Sequence, residues 1–384
     1  MVEAVRSGSS QRSVAREFGV SLRTVQRWLE RADGQRLDVV DWSDRPDSPH
    51  VVANHTATDI EEQIMAIRLE LKTESDLGEY GAEAIRRKMI ERGFADVPSE
   101  RTVNRILERG GAFDGRRRVR HMPPPKGWYL PEVAKGTAEI DQFDVICGLV
   151  IEGGTDVEVL TAISVHGALP GSWPSTAISA KYVSRAVIEH WSAFGCPAYA
   201  QFDNDTRFQG AHHHPDAIGR VTRLCLSLGI VPVFTPPRET GFQAAIESLN
   251  NRWQQKVWHR EHHESLESLC ERSRRYTAAA RSKSRLRQEA APLRRPIPEG
   301  WRLNLQLQPQ GKIIFLRRTD DRGNAHMLGR VFNVQEHWVH RLVRAEVDLD
   351  QSNIRFYSLR RREPEQQRLL CETPYQLPGK RFIE

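Results

Sequence analysis

Residues 138–155 read Ala138-Glu139-Ile140-Asp141-Gln142-Phe143-Asp144-Val145-Ile146-Cys147-Gly148-Leu149-Val150-Ile151-Glu152-Gly153-Gly154-Thr155. β-Branched and aromatic residues crowd the stretch, and Gly153-Gly154 punctuates it, which predicts strand, turn and returning strand. Short β-rich pieces are expected over 138–144, 145–152 and 155–165, three strands in hairpin order. Beyond them the period changes. A helix is expected over 180–194, a strand over 198–202, a helix over 218–228, a short strand over 230–235 and a long helix from Ala244. Such alternation predicts a mixed α/β sheet covered by helices.

Working toward the N-terminus, residues 9–31 break into two short helical patterns around Gly19. Ser10 and Ser21 stand where an N-cap oxygen would satisfy an orphan N–H. Val14, Ala15 and Phe18 in the first pattern, and Leu22, Val25, Trp28 and Leu29 in the second, recur at helical spacing and give each helix one apolar face. This is a helix-turn-helix pattern. Its second helix turns Arg23, Gln26 and Arg27 outward, residue types that reach phosphates and base edges from a major groove. After a polar linker with Pro46 and Pro49, Thr58 and Glu61 form a capping box before Ile60, Ile64, Ile67 and Leu71. Helices near 82–92 and from Pro98-Ser99 through Leu107 follow, so this second helical unit also resembles a helix-turn-helix. Arg116-Arg117-Arg118 and Pro123-Pro124-Pro125 then predict an extended basic linker able to run along phosphates.

Toward the C-terminus, residues 271–295 hold nine basic and two acidic side chains, a larger excess than the +6 of the whole chain. The bias points to phosphate contacts by Arg281, Lys283 and Arg285, which would make binding salt-sensitive. From Gly311 onward, short strands joined by tight turns predict a small β-barrel. The expected organisation is a helix-turn-helix domain over 1–32, a linker over 33–57, a second helical domain over 58–112 and a basic Pro-rich linker over 113–132. An α/β core over 133–270, a basic connector over 271–300 and a barrel over 301–384 complete it.

Composition narrows the class. With 28% charged and 39% hydrophobic residues among 384, the chain is neither fibrous nor low-complexity. Its longest apolar stretch, 145–151, is far short of the ~20 residues that cross a bilayer, and no secretory core follows Met1, so a cytoplasmic, nucleoid-associated protein is expected. The five cysteines are scattered without a Cys-x-x-Cys pair, which predicts reduced thiols.

Three acids stand where chemistry could be built: Asp141 in the first strand, Asp203 at the end of Gln201-Phe202-Asp203, and Glu247 in the first turns of the long helix. Carboxylates at strand ends and on an adjoining helix can converge across intervals of 62 and 44 positions. Hard oxygens suit Mg²⁺ or Mn²⁺, and two such ions can clamp the attacking and leaving oxygens of an in-line phosphoryl displacement. Asp144 is the rival for the first position. Alternation places it on the opposite strand face from Asp141, so both cannot serve one regular metal pair, and Asp141 is preferred. Arg252 and Lys256 extend the long helix and are candidates for DNA contact.

The order helix-turn-helix, second helical unit, basic linker, Glu139 to Asp144, Gln201-Phe202-Asp203-Asn204 and Pro236 to Asn250 resembles a bacterial insertion-sequence DDE transposase with a retroviral-integrase-type catalytic core. The resemblance spans nearly the whole chain. It implies a ribonuclease-H-like core, a metal triad matching Asp141, Asp203 and Glu247, and the use of two Mg²⁺ or Mn²⁺ ions. Water would attack the phosphodiester at an element end, and the freed 3′-hydroxyl would attack target DNA without a covalent protein intermediate. It also implies DNA as partner, a homo-oligomer on DNA, no membrane, and room for accessory transposition proteins. The chain departs from the family pattern at Asp205, where Gly is usual, at Ala244 and Ala245, where Gly and a basic residue are frequent, and by an insertion over 209–219. Two further readings follow: a DNA-binding regulator or partner subunit that keeps the fold without catalysis, and a nuclease without strand transfer.

Overall fold

The computed structural model describes residues 1–43, 56–112, 126–211, 214–361, 366–379 and 381–383. Two compact units emerge, Met1–Glu61 and Glu62–Glu384.

In the first unit, α1 (Val2–Arg6), α2 (Gln11–Glu17) and α3 (Leu22–Arg31) bury Val14 and Val25 completely. Ser10 and Ser21 cap α2 and α3, their hydroxyls accepting from the Ser13 and Thr24 amides at 3.2 and 3.1 Å. Gly19 takes φ 63° in the turn between them, a conformation glycine adopts without a Cβ penalty. Phe18 differs from expectation: it is 49% exposed, because it follows α2 as its C-cap rather than facing the core.

The second unit starts within α4 (Thr58–Glu74), followed by α5 (Ala82–Glu91) and α6 (Glu100–Arg109), whose interlocking face is Ile64, Ile67, Ile85, Met89, Val103 and Leu107. Ser99 caps α6 through the Thr102 amide. Thr58 is the first helical residue and not a cap; the amides of Ile60 and Glu61 bond to the Ala57 carbonyl.

After α7 (Pro131–Ala134) come β1 (Ile140–Ile151), β2 (Thr155–Ser164), β3 (Pro170–Ser175), α8 (Ala180–Phe194), β4 (Tyr199–Phe202), α9 (Thr206–Gln209), α10 (Arg220–Ser227), β5 (Val231–Phe234) and α11 (Ala244–Trp253). A π-helical turn, Gln254–Trp258, prolongs α11, and α12 (Leu266–Lys283) and α13 (Arg285–Glu289) follow. The two pieces expected over 138–152 are one strand, bulged between Ile146 and Leu149 where Gly148 takes φ 75°. The third strand of the meander is Pro170–Ser175. Its two prolines fit because β3 is the edge of the sheet and pairs with β2 alone.

β1, β2 and β3 are antiparallel neighbours, while β4 and β5 run parallel to β1, giving the order β3-β2-β1-β4-β5 with helices between the parallel strands. This is a ribonuclease-H-like arrangement. The C-terminal strands β6 (Lys312–Arg318), β7 (Asn324–Met327), β8 (Arg330–Asn333), β9 (Leu342–Asp348), β10 (Asn353–Ser358) and β11 (Leu369–Pro374) are present as short strands, but most of them prolong the core sheet. β6 pairs parallel with β5 through Val233–Ile314 and Phe234–Phe315, and the order continues β6-β9-β10-β11. Among the described residues no ladder closes β11 onto another strand, so the expected separate barrel is an open extension, with β7-β8 as a side hairpin. The physical reason is apolar continuity: Phe143, Phe202, Phe234 and Phe315 stack from strand to strand across the β5–β6 junction.

No helix among the described residues is long and apolar enough to cross a membrane.

Candidate active site

Side-chain alternation on β1 sorts its residues onto two faces. Phe143 packs among the α8 and α10 side chains, including Trp191 and Leu224. Gln142 lies on the other face, where its Oε1 accepts from the Ile246 amide of α11 at 3.1 Å. Asp141 therefore belongs with Phe143 and Asp144 with Gln142.

The consequence for Asp141 is decisive. Its carboxylate is fully buried and bound in two places by Arg294, with Nη1 to Oδ1 at 2.8 Å and Nη2 to Oδ2 at 2.6 Å, while Trp191 Nε1 donates to Oδ2 at 3.0 Å. Burial alone would raise its pKa, but the Arg294 charge and hydrogen bonds hold it below the usual carboxylate range. Arg294 is anchored in turn, its Nε donating to the Phe194 and Gly195 carbonyls. An acid so engaged, on the face away from α11, is not placed to share an ion with Glu247. The preference for Asp141 over Asp144 is thus corrected.

Asp144 is half-buried on the α11 face. Its Oδ1 accepts from the Val145 amide at 2.9 Å, and its Oδ2 from Asn250 Nδ2 of α11 at 2.7 Å. Its pKa is pushed up to about 6, first by burial and then by the charges of Asp203 and Glu247, with the two hydrogen bonds opposing. Asp203 is raised as well, by burial and by Asp205, against the Asp205 amide and Arg207. Glu247 is exposed in the first turn of α11.

Asp203 sits beside Asp144 because β1 and β4 are parallel with Gln142 opposite Gln201, and two residues further along the same register come the two acids. The chain carries the same tripeptide twice, Gln142-Phe143-Asp144 and Gln201-Phe202-Asp203. The glutamines bond, Gln142 Nε2 to Gln201 Oε1 at 2.6 Å, and the phenylalanines stack at 5.3 Å between centroids. Tyr129 Oη donates to Gln201 Oε1 at 2.7 Å and ties the pair to the turn that precedes α7. This repeat is the signal in the sequence that pairs Asp203 with Asp144.

The departures in the acidic loop have structural work. Asp205 caps α9 through the Arg207 amide and pairs with the Arg207 guanidinium at 2.7 Å, which also meets Glu158 of β2 at 2.8 Å. Asn204 is held from both sides: its Nδ2 donates to the Thr235 carbonyl at 2.7 Å, and its Oδ1 accepts from Arg317 Nη2 of β6 at 2.8 Å. Burial lowers the Arg317 pKa to about 9, so a C-terminal strand spends a buried cation on fixing the loop after Asp203.

A divalent cation suits the donor set, since two carboxylates with raised pKa values repel each other across a site of hard oxygens. Among the described residues, no three His, Cys, Asp or Glu side chains are gathered closely enough to hold an ion together.

The expected DNA-contacting residues divide. Arg23, Gln26 and Arg27 are exposed on α3. Arg116, Arg117 and Arg118 lie outside the described residues. Arg252 and Arg285 are exposed. Lys256 donates to the Gly78 carbonyl at 3.0 Å, Lys283 pairs with Glu79, and Arg281 donates to the Pro170 carbonyl at 2.9 Å while lying over the Phe194 ring. Much of the basic segment is therefore used in holding α12 to the sheet and to the second helical unit.

A homeodomain-like domain family matches residues 1–38. No curated protein sequence matches the chain. Among solved structures, the intasome of simian T-cell lymphotropic virus in complex with the PP2A regulatory subunit B56 gamma is 14% identical, covering 62% of this chain and 79% of its own with a TM-score of 0.33. The catalytic core domain of BIV integrase is also 14% identical, covering 38% of this chain and 81% of its own with a TM-score of 0.26.

Proposed function

We propose that the chain is a DNA transposase or integrase that binds element ends through its N-terminal helix-turn-helix and carries out metal-dependent strand cleavage and strand transfer. The observation that carries this reading is the charge-coupled set of Asp144 and Asp203 on adjacent parallel strands with Glu247 on the helix that covers them. In this reading Asp144, Asp203 and Glu247 hold Mg²⁺ or Mn²⁺, which supplies charge stabilisation at the phosphate and activates the attacking hydroxyl or water. Asn250 orients Asp144, and Arg317 with Asn204 fixes the loop that presents Asp203. Arg23, Gln26 and Arg27 of α3 read the DNA, consistent with their exposure and with the homeodomain-like match. A homo-oligomer on DNA and accessory proteins belong to the same proposal.

A second reading, a DNA-binding partner without catalysis, draws on the absence of a gathered three-acid group among the described residues. Incubating the chain with Mn²⁺ and DNA carrying the flanking element ends separates the two. Joined product that disappears with Asp144→Asn, Asp203→Asn and Glu247→Gln, and persists in the folded fraction of Asp141→Asn, is expected. Specific binding with no nicked or joined product under either metal would give the partner reading instead.

A further inference from the structure

Beside α11 lies a cavity of about 580 Å³ bounded by the β1–β2 sheet face, α12 and the loop before α5. Its lining includes five cations, Lys126, Arg252, Lys256, Lys283 and Arg287, against one acid, Glu79. Glu79 is already paired with Lys283, and Lys256 is bound to a carbonyl. Arg252 donates through Nε to the Ser248 carbonyl, and Arg287 through Nη2 to the His166 carbonyl, so neither guanidinium meets a carboxylate among the described residues. Lys126 and Arg287 are close enough that the Lys126 pKa is lowered, by burial first and by the Arg287 charge second. Beneath this rim the floor is apolar, with Leu249, Phe242, Ile163 and Tyr276.

A cationic rim over an apolar, partly aromatic floor is the chemistry of a single nucleic-acid strand, whose phosphates meet the rim and whose base faces lie on the floor. The volume is within the ~300–1,000 Å³ that encloses a small organic ligand, and a double helix does not enter a space of that size. Position supports DNA as the source. Ser248 and Arg252 line the cavity from the same helix that carries Glu247, and Ser248 follows Glu247 directly, about 100° around the axis. We infer that this groove receives a short unpaired stretch of DNA beside the acidic site, with Arg252, Arg287 and Lys126 on its phosphates. The inference rests on the proposed DNA-processing function.

Fluorescence anisotropy on the full chain tests it with two probes, a blunt duplex bearing the element end and the same duplex with a short single-stranded extension. The extension is expected to tighten binding about tenfold, the effect of one stacked base. Arg252→Ala with Arg287→Ala should remove that gain, leave the blunt duplex bound, and flatten the salt dependence of extended-probe binding by about 1.4 in log–log slope, for two phosphates of a single strand. Ser248→Trp, which fills the cavity and keeps every charge, should remove the gain too, and an unchanged melting transition verifies that both variants fold. No gain from the extension, or a gain that survives both variants, overturns the inference. Competition by polyglutamate equal to that by the extended probe overturns it in favour of an acidic peptide. Failure of the unmodified chain to bind either probe removes the proposed function itself.

Discussion

Asp141 and Asp144 lie three residues apart on one strand, yet the two faces of β1 treat them in opposite ways. On the α8 face Asp141 is sealed from water and neutralised by Arg294, so its ionised form is favoured. On the α11 face no cation among the described residues pairs with Asp144; it is half-buried, held by the Val145 amide and Asn250, and faces the charges of Asp203 and Glu247, so its ionised form is disfavoured. The first arrangement spends a charge pair on closing the molecule, since Arg294 lies in the segment that returns to α8 and pairs with Cys196. The second gathers acidic charge on the adjoining inner strands β1 and β4, where burial and that charge raise the pKa values of Asp144 and Asp203.

The largest effect expected from breaking this contrast is on stability. Asp141→Asn leaves the Arg294 guanidinium, only 14% exposed, without its counter-charge. Removing one partner of a buried pair costs about 3–5 kcal/mol. Denaturant unfolding should show that loss, and pairing Asp141→Leu with Arg294→Met should return most of it. A cost under ~1 kcal/mol for the single change would mean that the pair does not close the core as described.

How much of this was legible differs by element. The helix-turn-helix was readable down to its serine caps, because capping and helical periodicity are local. The edge strand Pro170–Ser175 was not, because its prolines argue against a strand unless its position at the sheet edge is known. The joining of β5 to β6 depends on a pairing between Phe234 and Phe315, far apart in the chain, and no local pattern reports it. The repeated Gln-Phe-Asp was printed in the sequence, but its meaning needs the knowledge that the two strands are parallel neighbours in register. Without that, Asp141 and Asp144 are both plausible acids at a strand; with it, only Asp144 shares a register and a face with Asp203.

A smaller effect separates the two acids by pH. The folded pKa of Asp144, about 6, lies above its ordinary 3.8, so ionisation opposes folding. The protonated carboxyl's contribution to stability is complete below pH 3.8 and is lost as pH rises through about 6. Asp144→Asn should therefore be more stable than the parent above about pH 6, by up to about 2 kcal/mol after allowing for partial exposure, with the gap closing near pH 4. Asp141 behaves with the opposite sign: its folded pKa is depressed, so its contribution is present above the ordinary value and lost as pH falls through the folded one. Urea midpoints of parent and variant across pH 4–8 check this. A stability difference that is constant with pH would mean that burial and the neighbouring acids do not raise the Asp144 carboxyl.

The finest test addresses how the α11 face holds its acid. Asn250 receives a hydrogen bond from Thr161 Oγ1 at 2.7 Å and donates to Asp144 Oδ2 at 2.7 Å, so one side chain ties β2, β1 and α11 together one turn after Glu247. Asn250→Ala should cost about 1 kcal/mol in stability, the ordinary worth of a hydrogen bond partly exposed to water. A cavity alone would do that. The distinguishing readout is the acid limb of the metal-dependent cleavage rate. Asn250 favours the ionised form of Asp144, so its removal should move that limb to higher pH, while Asn250→Ser, which can still donate, should move it less. If stability falls and the limb stays in place, Asn250 merely packs α11 on the sheet, and the contrast between the two faces of β1 rests on burial and neighbouring charge alone.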